Sequence, residues 1–173
     1  IYIDKANFTY KEKVKVAFIT GPNRGIGFET ARQLGGKGIT VILGSRDKAK
    51  GEAAAEKLKA EGITATAFPF DVNQASDHQK IFEYINKNFG KLDILINNAS
   101  VLLDKKPEQG SNQTSSTSQD ILRKTFDANF FNQVGLTQTL LPLLQKSSEG
   151  RIVNLSSILG SLTLHSDPTS AIY

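Results

Sequence analysis

The chain of 173 residues contains no cysteine, no methionine and no tryptophan, and only two histidines. Without cysteine there is no disulfide framework, no thiolate nucleophile and no cysteine-ligated zinc, and with His78 and His165 alone a histidine-rich centre is not expected, so no metal site is assigned. No run of about 18 apolar residues occurs, and the N-terminus lacks the apolar core of a signal peptide. The expectation is a soluble, intracellular, cytoplasmic protein without a membrane partner, with a plastid location left open. A strong excess of one charge is also missing: Lys+Arg 21 against Asp+Glu 17 leaves +4. The lysines, among them Lys11, Lys48, Lys87 and Lys105, are scattered, which describes a solvated surface rather than a nucleic-acid face. At 39% hydrophobic, the composition suits one globular core. The missing initiator methionine and the stop on Tyr173 read as two edges of a longer polypeptide.

Glycine and short β-rich runs are present, and they organise the chain. After a polar lead over residues 1–13, Val14 to Ile19 reads as a strand that ends at the glycine-rich Thr20 to Gly27. Ile26, Ala31 and Leu34 carry helical spacing up to Gly35-Gly36, and Thr40 to Leu43 is a second buried strand, which completes a βαβ unit. The pattern continues with a helix from Asp47 to Glu61, a strand from Thr64 to Phe70, a helix marked by Ile81, Ile85 and Phe89, and a strand from Leu92 to Ile96. His78 is placed on the polar side of its helix and His165 on a surface loop. Leu122, Phe126, Phe130, Val134, Leu140, Leu141 and Leu144 read as one apolar stripe of a long helix with Pro142 as its kink, before a fifth strand from Arg151 to Ser156. Thr117 with Asp120 offers that helix a capping box at the end of the polar loop Ser111 to Ser118. The sequons at Asn7, Asn112 and Asn154 have no secretory context and are read as chance. The alternation predicts an α/β fold, a doubly wound parallel sheet with helices on both faces.

Gly21-Pro22-Asn23-Arg24-Gly25-Ile26-Gly27 stands where the first strand meets the first helix. Gly21 permits a tight turn off the strand, Gly25 a close approach of backbone N–H groups to a pyrophosphate, and Gly27 close packing of helix on sheet. Asn23, Arg24 and Ile26 fall in the same loop. A Walker-type loop is excluded, because no Gly-Lys-Ser/Thr follows. At the end of the second strand, where an acid would meet the ribose hydroxyl of NAD, stand Gly44-Ser45-Arg46. The guanidinium of Arg46, with Arg24 in the loop, suits a 2′-phosphate, so NADP(H) is preferred over NAD(H). On this reading residues 14–173 form a single Rossmann-type dinucleotide-binding domain.

These residues, joined to Asp71-Val72, to Asn97-Asn98-Ala99-Ser100 and to Asn154-Leu155-Ser156-Ser157, resemble the short-chain dehydrogenase/reductase family from Val14 onward. They resemble most the NADPH-dependent carbonyl reductase-like members of cyanobacteria and plants. The resemblance implies that Asp71 and Val72 contact adenine, that Asn97, Asn98 and Ala99 line the cofactor, and that Asn129 and Ser157 are the asparagine and serine of the catalytic tetrad. It also implies hydride transfer between the nicotinamide and a small carbonyl or alcohol substrate, with a serine hydroxyl on the carbonyl oxygen and a tyrosine, assisted by a lysine four residues on, moving the proton. Homo-oligomers paired through the long helix are implied as well. Two features depart from the pattern. Ser100 replaces a glycine, and Tyr173 follows Ser157 by 16 positions where the family keeps about 13. Tyr173 is therefore the catalytic tyrosine, a residue of an extended substrate loop running through Gly160 to Pro168, or an ordinary exposed residue. Two further strands and the lysine are implied beyond Ser157, so the domain is expected to be incomplete at its C-terminus. The competing reading is a non-catalytic NADP(H)-binding or redox-sensing module.

Overall fold

A computed structural model describes residues 2–3, 10–11, 14–103 and 117–171. Tyr173, the sequons at Asn7 and Asn112 and most of the polar loop lie outside these residues. In the N-terminal lead, β1 (Tyr2–Ile3) pairs antiparallel with β2 (Tyr10–Lys11), a hairpin whose two-residue strands are too short to show a period in the sequence.

The βα alternation is the one the hydrophobic pattern predicts. β3 (Val16–Thr20), α1 (Gly25–Gly35), β4 (Thr40–Ser45), α2 (Lys48–Ala60), β5 (Ala65–Pro69), α3 (Ala75–Phe89) and β6 (Ile94–Asn97) follow one another. α4 (Gln119–Phe126), a π-helical turn (Asp127–Phe131), α5 (Asn132–Leu144), β7 (Arg151–Asn154), a 3₁₀ turn (Ile158–Gly160) and α6 (Leu162–His165) come after them. Strands β3 to β7 form one parallel sheet in the order β5-β4-β3-β6-β7. Strand alternation divides the core between the two faces. Val16, Phe18, Ile42 and Leu95 point to α3 and α5, where Ile81, Ile85, Leu136, Leu140 and Leu143 cover them. Ala17, Ile19, Val41, Leu43 and Ile96 point to the other face, under Ala31 of α1 and Ala54 and Leu58 of α2. Each large side chain so buried stabilises by about 1.5–3 kcal/mol relative to exposure, which is why strands buried on both faces read as continuous apolar runs.

Four expectations are corrected. The stripe from Leu122 to Leu144 is two faces rather than one: Leu136, Leu140, Leu143 and Leu144 are buried, while Leu122, Phe126, Phe130, Val134 and Leu141 are exposed. The series through Phe130 and Val134 and the series through Leu136 and Leu140 are two residues out of step, which at 100° per residue puts them on opposite sides of the helix. The expected long helix is also interrupted, since Asn132 N bonds Asp127 O and closes a π turn, and α5 then runs through Pro142 to Leu144. α4 is capped by Ser118, whose hydroxyl accepts from Ile121 N at 3.2 Å, rather than by Thr117. His78, expected on a polar face, is 6% exposed; its helix turns that side toward Phe70 and α5, where the ring stacks and bonds the backbone.

Candidate functional site

β3 turns into α1 through a loop that β6 holds from below. Gly21 lies at φ +66°, and a Cβ there would meet Ala99 Cα at 3.1 Å, so glycine makes this turn without the strain a side chain would add. Gly27 presses closer still, since a Cβ would stand 2.5 Å from Asn98 Nδ2 and 2.9 Å from Gly21 O. The buried Thr20 fastens the two strand ends together: its Oγ1 accepts from Asn98 N at 3.0 Å and from Ala99 N at 2.9 Å. Asn98 Nδ2 returns bonds to Thr20 O at 2.8 Å and Gly21 O at 3.1 Å. No side chain caps α1. Arg24 at its N-cap makes no cap bond and no acid stands in the first turn, so the helix presents its first N–H groups and its positive dipole end to whatever lies in front of them. That is an anion-binding geometry.

In front of it lies a cleft of about 600 Å³, at the switch point where β4 and β6 leave β3 in opposite directions. The volume falls in the usual range for small-molecule and cofactor sites. Gly21, Asn23, Arg24, Gly25, Ile26 and Gly27 form its floor; Ser45, Arg46, Asp71 and Val72 form one end, and Asn98, Ala99, Ser100 and Val101 the other. The wall also holds Asp47, Lys50, Phe70 and Leu155, which sequence reasoning did not single out. Lys50 could have been found one helical turn beyond Arg46. The Asp47 carboxylate accepts from Lys50 N at 3.0 Å and lies 3.0 Å from Lys50 Nζ. Bonds from the Lys50 backbone and side chain lower its pKa, so the acid is engaged as the cap of α2. Ser45 is buried, and its hydroxyl donates to Asp47 O at 2.9 Å.

At the other end, the π turn and the helix that follows it pin the loop after β6. Asn129 Oδ1 accepts from Val101 N and its Nδ2 donates to Val101 O, each at 2.8 Å, and Gln133 Nε2 donates to Ala99 O at 2.8 Å. Asn129 thus pairs both ends of its amide with the backbone of Val101, and it is not among the residues that line the cleft. Asn97 does not line the cleft either. It is buried, and donates to Asn154 Oδ1 at 2.8 Å and Thr137 Oγ1 at 3.1 Å, joining β6 to β7 and α5. Ser157 lies two residues past the wall residue Leu155, where its Oγ accepts from Leu159 N at 3.2 Å as the N-cap of the 3₁₀ turn. The hydroxyl hydrogen remains available to donate. His165 is exposed and its Nε2 lies 2.9 Å from Leu159 O. Among the described residues no group of three or more His, Cys, Asp or Glu could hold a metal ion, and no helix is long and apolar enough to cross a membrane.

Comparison with known proteins meets this geometry. A family model described as short chain dehydrogenase matches residues 15–169. The chain is 34% identical to a (+)-neomenthol dehydrogenase of Capsicum annuum, over 87% of this chain and 58% of that protein. Among solved structures, salutaridine reductase from Papaver somniferum superimposes with a TM-score of 0.76 at 32% identity, covering 87% of this chain and 60% of that one. Actinorhodin polyketide ketoreductase, solved with NADPH, gives 0.74 at 25% identity over 83% of this chain and 53% of its own. The chain thus spans somewhat over half the length of the relatives it matches. Family match and parallel-sheet architecture agree: the chain belongs to the short-chain dehydrogenase family, a family of oxidoreductases that includes carbonyl reductases.

Proposed function

We propose that the intact protein is an oxidoreductase that transfers a hydride between NADP(H) and a small carbonyl or alcohol substrate, and that it holds NADPH in preference to NADH. The observation that carries this reading is the cleft itself. Its floor is an uncapped helix start behind a glycine turn and carries Arg24, and one end carries Arg46 and Lys50, while of the two acids there Asp47 is engaged as a helix cap and Asp71 accepts from Asn73 N at 3.0 Å. An acidic side chain directed at a ribose hydroxyl would repel a 2′-phosphate; guanidinium and ammonium groups at that place attract one. The NADPH held by the actinorhodin ketoreductase, and the NADPH for which a Mus musculus carbonyl reductase 33% identical to this chain is named, support the choice.

In this reading Gly21, Asn23, Gly25, Ile26 and Gly27 hold the pyrophosphate with backbone groups, Asp71 and Val72 face the adenine, Ser45, Arg46 and Arg24 take the 2′-phosphate, and Asn98 and Ala99 line the nicotinamide end with Asn97 bracing them from behind. When bound, the dinucleotide supplies the hydride. Ser157 would hydrogen-bond the substrate carbonyl oxygen through its hydroxyl, where negative charge develops and where the tyrosine implied by the family resemblance would deliver the proton, while its own oxygen accepts from Leu159 N. Asn129 keeps Val101, and with it the wall beside the nicotinamide, in place. The test is a pair of equilibrium titrations. NADPH binds at least about tenfold tighter than NADH, and Arg46→Asp reverses the order; equal dissociation constants in the unaltered protein would remove the assignment.

A further inference from the structure

We infer that His78 is a positioning residue for the adenine end of the cleft, acting through the segment Phe70 to Val72; this rests on the cofactor reading above. His78 does not line the cleft. It is 6% exposed, in the first turns of α3, and its side-chain hydrogen bond and its ring stack both run to the segment that does line it. Its Nε2 lies 2.8 Å from Val72 O. A carbonyl can only accept, so Nε2 carries the hydrogen and donates, which fixes the ring's tautomer. The imidazole also stacks on Phe70, with centroids 5.7 Å apart and planes at 22°, and Phe70 in turn meets Phe18 of the core edge to face at 5.2 Å.

One residue earlier in α3, the Asp77 carboxylate accepts from Asp71 N at 3.0 Å while pairing with Lys80 at 2.8 Å. Successive side chains of one helical turn therefore hold Phe70, Asp71 and Val72 by ring, amide and carbonyl. The ring's remaining side faces α5 at Gly135, where even a Cβ would come no nearer than 3.8 Å to the imidazole. An aliphatic residue would fill the same core space but leave Val72 O without this donor. A polar group buried only to make one backbone bond costs desolvation, and the place where that bond is made is the lip on which adenine would rest.

The experiment uses the intact protein with His78→Phe, which keeps the stacking and removes the donor, and His78→Gln, whose amide reaches as far as Nε2. AMP, adenosine 2′,5′-bisphosphate and nicotinamide mononucleotide are titrated calorimetrically against each. We expect His78→Phe to weaken whichever adenosine nucleotide the unaltered protein binds by about tenfold and to leave nicotinamide mononucleotide unchanged, with His78→Gln restored to within about threefold. Unchanged adenosine-nucleotide affinity in a folded His78→Phe, or equal weakening of both halves, overturns the inference while leaving the cofactor reading intact. If that variant does not fold, His78→Gln and His78→Leu decide by the same comparison. Failure of the unaltered protein to bind either adenosine nucleotide overturns the cofactor reading, and this inference with it.

Discussion

Two kinds of residue make up or support the proposed site, those recognisable by type and those recognisable only by partner. Gly21, Gly27 and Ser157 belong to the first. A glycine triplet at a strand–helix junction has few other uses, and the close approaches of 3.1 and 2.5 Å that a Cβ would make show why no larger residue serves there. The Ser157 side chain accepts from Leu159 N, a bond that alanine would lose without touching the cleft floor. Ser157→Ala in the intact protein is therefore expected to leave cofactor affinity nearly unchanged and to lower turnover by on the order of a hundredfold; steady-state kinetics with any reducible carbonyl checks it, and unchanged turnover would mean another group holds the carbonyl oxygen. Lys50 and His78 belong to the second kind. A lysine in an alanine-rich helix and a histidine among polar neighbours are common in any sequence, and only the fold shows that one lines the cleft beside Arg46 and the other bonds Val72.

Among the elements, the βα units up to β6 were legible because each strand is an apolar run and each helix ends in glycine or a polar break. The helical stretch from Gln119 to Leu144 was not, because it is apolar on two sides and period alone cannot say which side faces the sheet. Nor could it show the π turn, which depends on a backbone bond from Asn132 N to Asp127 O. π turns often mark functional positions, and this one carries Asn129 on its third residue, directed at both backbone groups of Val101. Asn129→Ala removes both bonds and leaves a part-buried N–H and C=O to find other partners. The expected loss is about 1–3 kcal/mol of stability, read by denaturant unfolding, together with lower turnover from a loosened wall beside Val101. Asn129→Asp, which keeps the acceptor but not the donor, should fall between.

For the molecule as a whole, the end of the sheet opposite the cleft is tied by one acid. Asp93 is 3% exposed; its carboxylate accepts from Lys91 Nζ at 2.6 and 2.8 Å, Ser147 Oγ at 2.5 Å and Val16 N at 2.8 Å, so β3, β6 and the turn after α5 meet on it. Burial alone would raise its pKa, but the bonds from Lys91, Ser147 and Val16 together outweigh it and hold the pKa below the ordinary carboxylate value. A depressed folded-state pKa contributes stability that is complete above the unfolded value of about 3.9 and is lost as pH falls through the folded one. Asp93→Asn should accordingly cost about 1–3 kcal/mol near neutral pH, with the gap to the unaltered protein closing below about pH 4; chemical unfolding at several pH values checks it, and a gap independent of pH would mean the charge is immaterial. By itself the sequence determined the βα order, the parallel sheet, the glycine turn and the family resemblance, because these follow from local period, short-range backbone needs and motif order. Only the tertiary structure decided which apolar helical face is buried, that Asn97 bonds Asn154 and Thr137 and Asn129 the backbone of Val101, and that Asp93 and His78 have distant partners, because each of these depends on a residue far off in the chain or on which way a helix is turned, and neither is written in the spacing of residues.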